Sequence, residues 1–190
     1  MSLIEQMRSE DFSAKAFSNI LDESSHEDCL VWSRSLAQNE LKKLYDAFEN
    51  VKTISLETLL PQNAPAFDVV EHFGYNNLPF FRVFSKPMYR TSQGVIAGRN
   101  AQFWEFLTGP GYFTVRQVSE HELLVDYTLL PESKPESWPN IKSNARGLSF
   151  FVFRNLQDSL RAITDRITIG RASRCGKELP QYFILVRDRF

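Results

Sequence analysis

The chain is poor in the features that would tie it to a disulfide scaffold, a membrane or a polyanion. It has two cysteines, Cys29 and Cys175, far apart and outside any CxxC pair. Two is too few for a disulfide framework, so a reducing compartment is expected, and the cytoplasm is the default. No stretch approaches the roughly 18 apolar residues of a membrane helix, and integral membrane association is not expected. The leading "MSLIEQMRSEDFSAKAFSNI" lacks the apolar centre of a signal peptide. A formal net charge of −1 gives no global field to recruit nucleic acid or an anionic membrane. There is no G-x-S-x-G, no phosphate-loop spacing, no arguable Cys–His pairing and no paired catalytic carboxylates, so no cofactor is implied. What the chain has in abundance is rings: sixteen Phe, six Tyr and three Trp. Phenylalanine at this density favours sheet surfaces and ring-lined interiors.

Two periods divide the sequence. Residues 1–65 read as helical. "SSHEDCLVWSRSLAQNELKKLYDAFENV" opens with an S-x-x-E capping box, Ser24 with Glu27. Leu41, Leu44, Tyr45, Phe48 and Val51 then make one helical stripe. Leu30, Trp32 and Leu36 fit it less well, leaving one helix or two. Ser55 caps a short helix over "LETLL", stopped by Pro61, and "PQNAPA" reads as a linker. Residues 78–190 turn to a period of two: "FFRVFSKPMYR", "GVIAGRN", "AQFWEFLT", "GYFTVRQV", "ELLVDYTLL", "GLSFFVFRN", "ITIGRAS" and "QYFILVRD". "TGPG", "SEHE" and "RCGK" supply turn chemistry between them. "LQDSLRAITD" suits either a short helix or a strand, and a strand broken by a bend is the preferred reading. The pattern predicts a mainly β protein with α: an antiparallel barrel of about eight strands, preceded by N-terminal helices packed on it, the two folding as one unit.

The closing strand sharpens this. In "QYFILVR", Tyr182, Ile184 and Val186 point one way, Phe183, Leu185 and Arg187 the other. Both faces are apolar, so both need a cover. A closed barrel fills one with its own interior, and the N-terminal helices are available for the other. The run "IGRAS…GK…YFILVR", preceded by "DSLRAI", resembles the ending of small calycin-type barrels, the group of lipocalins, fatty-acid-binding proteins and plastid lipid-associated proteins. In that group a closing strand often runs into an arginine that seals the barrel. The lipocalin G-x-W is absent, since Trp104 follows "AQF". The resemblance implies a small hydrophobic or amphipathic ligand, fatty-acid-like, in a barrel cavity.

Arginines recur among apolar strand positions: Arg82, Arg90, Arg116, Arg154 and Arg187. Inside a barrel they would clamp an anionic head; outside, their stems would cover apolar surface. Arg82, Arg116, Arg154 and Arg187, with Trp104 and Tyr127, form the candidate ligand-binding set. Tyr127 shares a face with Leu123, Val125 and Leu129 and is either a satisfied core tyrosine or a polar tip in a cavity. Asp126 faces the other way, toward an arginine of a neighbouring strand. The proline-punctuated loop at 131–146, with Trp138, would make a lid. "SHEDC" holds four metal-capable side chains, which splay around a helix and suit a solvated helix start better. Asp68 and His72, spaced i, i+4, would share a helix face but lack a third ligand. Two other readings stand beside ligand binding: an enzyme using Tyr127 or Asp126 in the same cavity, and an interaction module docking through the helices.

Overall fold

The computed structural model describes residues 2–79, 82–101, 109–144, 147 and 149–188. Its first third is a run of short helices, each stopped by sequence chemistry: α1 (Leu3–Arg8), α2 (Ala14–Glu23), α3 (His26–Ser35) and α4 (Gln38–Ala47). Ser24 closes α2; one residue later Ser25 caps α3, its Oγ accepting from the Asp28 N–H at 3.0 Å. The break before α4 falls at Leu36 and Ala37, both extended, where Glu40 accepts from the Ala37 N–H at 2.6 Å and from Arg8. There are therefore two helices across "SSHEDC…FENV". Leu41, Leu44, Tyr45 and Phe48 are buried as one stripe, whereas Val51 lies beyond the helix and is exposed. The short α5 (Leu56–Leu59) follows Ser55 as expected.

Among the described residues that follow, nine strands form one antiparallel sheet: β1 (His72–Asn76), β2 (Val83–Ser85), β3 (Met88–Arg90), β4 (Ile96–Arg99), β5 (Tyr112–Ser119), β6 (Glu122–Asp126), β7 (Leu156–Ala162), β8 (Ile167–Arg174) and β9 (Lys177–Arg187). Their order is β2-β1-β9-β8-β7-β6-β5-β4-β3. The first strand begins before residue 78, in the stretch that spacing had suggested as a helix face. Asp68 is thus not one turn from His72 but on an exposed approach to β1. "GLSFFVFRN" is the other correction: it forms a short helix, α6 (Ser149–Phe153), not a strand. Aromatic richness reads as β-propensity, but Phe153 is needed against Gly111 and Tyr127 at the end of the sheet, which a helical turn achieves. "AQFWEFLT", with Trp104, lies outside the described residues.

The edge strands β2 and β3 are separated only by Lys86 and Pro87. On one side of residues 83–90, Phe73↔Ser85 and Val70↔Met88 fall in one register; on the other, Met88↔Gly98 and Ser85↔Ala101 fall in another. Paired Ser85 and Ala101 N–H and carbonyl groups exchange hydrogen bonds at 2.9 and 2.8 Å. The sheet is accordingly curled into a half-barrel, with a concave and a convex face.

Alternation along β9 covers both faces. Phe183 and Leu185 join the concave core with Met88, Ile96, Phe113, Val125, Tyr127 and Leu160. Tyr182, Ile184 and Val186 join a second core on the convex side, with Phe17, Leu21, Trp32, Leu41, Leu44 and Phe48 from the helices. Ser18 Oγ donates to the Ile163 carbonyl at 2.6 Å, and Arg161 donates to the Tyr45 carbonyl at 2.7 Å, pinning the coat. Residues 54–64, including α5, put Ile54, Leu59 and Leu60 into the concave core and plug one end of it. The loop after β6 does not form the lid that its prolines suggested. Trp138 packs against Tyr89 and Tyr112, whose hydroxyls donate to the Ser133 and Pro139 carbonyls. Met88 and Phe113 point inward beside those tyrosines, so the loop coats the convex side of β3–β5.

Candidate functional site

Three cross-strand pairs set the shape of the concave side: Gly74 opposite Phe84, Gly98 opposite Phe113, and Gly170 opposite Phe183. In each, the phenylalanine ring lies flat over its partner; a Cβ on the glycine would meet ring carbons at 2.5, 2.7 and 2.3 Å respectively. The missing side chains make room for three rings to lean across the strands. Between them stands the Lys86 ammonium. Its Nζ lies 6.0 Å from the Phe84 centroid, 5.4 Å from Phe113, 4.7 Å from Phe183 and 5.0 Å from Tyr127. Rings present their negative faces to a cation, which offsets part of the lost hydration.

The rest of that offset is ionic. Lys86 Nζ donates to Asp158 Oδ2 at 2.5 Å and to the Tyr127 hydroxyl at 2.7 Å. Lys86, Asp158 and Tyr127 are 2%, 3% and 2% exposed. Burial pushes the Lys86 ammonium below the ordinary lysine value, against the pull of the Asp158 charge. Burial and Asp158 together hold the Tyr127 phenol well above the ordinary tyrosine value, so it stays protonated. Two of the three ammonium donors are engaged, leaving one for another acceptor.

Lys86 and Asp158 form the inner end of a cleft of about 510 Å³. Its walls are Phe84, Phe183, Val152, Leu156, Ala172 and Leu179, and its rim carries Asn76, Asn100, Arg174 and Gln181. At the rim Arg174 donates from Nη2 to the Val152 carbonyl at 2.8 Å. Its buried Nε, like the buried Gln181 Oε1, has no hydrogen-bond partner among the described residues.

Of the candidate residues that are described, Tyr127 alone reaches this centre, as the tyrosine that touches the Lys86 ammonium. Arg82 donates to the Asn76 and Leu36 carbonyls, tying the sheet to the helices. Arg116 lies on the exposed end of β5, out of phase with the inward Phe113 and Val115. Arg154 is exposed and stacks on Phe150 at 4.3 Å. Arg187 bonds to the Asp165 carbonyl at 3.3 Å at the far end of β9, and burial depresses its pKa. None of these four arginines lines the cleft. Asp126 bonds to Thr128 and Gln157, with no arginine partner among the described residues.

The residues that sequence reasoning passed over are Lys86, Asp158 and Arg174. A signal was there. Phe84–Lys86–Met88 and Leu156–Asp158–Leu160–Ala162 each place one charge in the phase of an inward apolar set. Opposite charges in the inward phase of two strands predict a buried pair.

Among the described residues no group of three metal-capable side chains converges, and no helix is long and apolar enough to cross a membrane. Fold and site together define a curled antiparallel sheet, coated by helices outside, with an apolar cleft ending on a buried lysine–aspartate pair. Comparison of the chain with family models, with curated proteins and with solved structures returned no match.

Proposed function

We propose that the protein binds a small hydrophobic or amphipathic molecule, fatty-acid-like or lipid-like, in the cleft on the concave side. The observation that carries this reading is the cleft: about 510 Å³, apolar-walled, with a few polar atoms confined to its two ends. Sites for small ligands run to ~300–1,000 Å³ with this distribution of polarity. The same reading counts residues 83–90 as one strand, which would make the sheet an eight-stranded barrel of the calycin kind. The common registers on the two sides of that stretch support the count. The inner end is charge-balanced, so an anionic head belongs at the rim, near Arg174, with the chain lying along Phe84 and Phe183. Native mass spectrometry of the purified protein and displacement of a fluorescent fatty-acid probe test this. Probe uptake weakened about tenfold by Arg174→Ala is the expected result. An interior that takes up no probe removes the reading.

A second reading has its own observation. An amine and a carboxylate line one cleft, with a phenol bonded to the amine from the core behind it, a constellation suited to moving protons at a bound carbonyl. The docking-module reading draws less support, because the helices spend their apolar faces on the sheet.

A further inference from the structure

A purely apolar guest calls for an apolar floor, and a carboxylate calls for a cation without a partner. The inner end of the cleft offers neither. It offers an amine whose charge is matched by Asp158 at 2.5 Å, in a ring of four aromatic side chains. Such surroundings penalise any step that creates or removes charge, because an unmatched ion there has no water to turn to. They permit a step that keeps the charge where it is. Condensation of a lysine with an aldehyde or ketone is such a step.

We propose that Lys86 is a carbonyl-condensing nucleophile: it forms an iminium with the aldehyde or ketone group of an apolar ligand lying in the cleft, with Asp158 as base and then counter-ion. This rests on the ligand-binding reading above. Asp158 Oδ2 takes one ammonium proton, and the Nζ lone pair bonds to the carbonyl carbon. The carbon–oxygen bond then breaks. The oxygen leaves as water with the two hydrogens that nitrogen loses, one of them the proton held by Asp158. Nitrogen keeps one hydrogen and the positive charge. Ammonium and iminium carry the same charge, so the pair with Asp158 survives, and only water departs. Tyr127 is a positioning residue: its hydroxyl, held protonated, accepts a hydrogen bond from Nζ at 2.7 Å and so fixes the amine. The lowered affinity of the buried amine for its proton acts in the same direction.

The test uses the full chain with decanal as probe, cyanoborohydride to reduce the iminium to a stable secondary amine, and peptide mapping by mass spectrometry. The expected result is one decyl group per chain, at Lys86, suppressed at least tenfold by excess decanol, which occupies the cleft but cannot condense. Lys86→Arg keeps a cation for Asp158 and should still bind decanol while losing the adduct. Should that variant fail to fold, Lys86→Met combined with Asp158→Leu takes its place. Decanol binding without an adduct at Lys86 overturns the proposal and leaves the ligand-binding reading standing. Label spread over the exposed lysines, indifferent to decanol, also overturns it. Absence of binding by decanol and decanal alike removes both readings.

Discussion

His72 titrates near 6.5 in an unfolded chain; in the fold, burial and the nearby Arg187 charge push it down to about 4. Its ring is enclosed by the carbonyls of Leu59, Val70 and Lys86, and so joins the α5 plug to the sheet. Between those two pH values the unfolded chain binds the extra proton. The stability from neutral His72 is therefore complete above about pH 6.5 and is lost as pH falls toward 4. At ~1.4 kcal/mol per pKa unit the loss is about 3 kcal/mol. Urea unfolding of wild type and His72→Gln across that window should show a steeper decline for wild type; parallel curves would refute the assignment. Lys86 and Asp158 make the second prediction at this scale. Removing one partner strands a buried charge, so Lys86→Met should cost ~3–5 kcal/mol, whereas Lys86→Met with Asp158→Leu should lie within ~1–2 kcal/mol of wild type. A double-mutant cycle by chemical denaturation measures the difference.

Individual elements hold their places through facing surfaces more than through propensity. Each of the three Gly–Phe pairs lets a ring cross from one strand onto the next. Gly170→Ala drives a Cβ into the Phe183 ring, and overpacking of this kind costs ~1–3 kcal/mol. Phe183→Leu in the same chain should recover part of that loss, which a purely backbone effect of Gly170→Ala would not allow. On the convex side, α4 is held by Leu41, Leu44 and Phe48 against β8 and β9. Leu44→Ala should cost ~2–5 kcal/mol by thermal or urea unfolding. The helical stripe was readable from spacing up to Phe48, whereas "LQDSLRA" admitted a short helix beside the strand that it forms. Ser25 replacing Ser24 as cap was not readable, since both serines precede a carboxylate at the right distance and only the helix start distinguishes them. α6 was not readable either, because a run of phenylalanines satisfies a strand pattern until its partners are known.

For the whole molecule the central fact is that one sheet carries two cores. The concave one is shared with a cleft, so a ligand bound there stabilises the fold by mass action. At a free concentration of ~100 times Kd the gain is about 2.7 kcal/mol, and for a chain of this size that raises Tm by roughly 5–10 °C. A calorimetric scan with and without decanoic acid, compared with the same pair of scans on Arg174→Ala, measures it. An equal shift in both proteins would remove Arg174 from the site.

The sequence by itself determined the class of the molecule: helices first, then an antiparallel sheet, with a last strand whose two apolar faces both require a cover. Those features follow from residue type and spacing, which act locally. The tertiary structure decided the site. Whether an inward charge meets its opposite depends on which strands become neighbours across the curl, and Lys86 and Asp158 lie 72 positions apart. The arginines were conspicuous by type, yet their side chains stay at the ends and on the outside. A lysine takes the interior because a carboxylate, a phenol and three rings over glycines arrive there together.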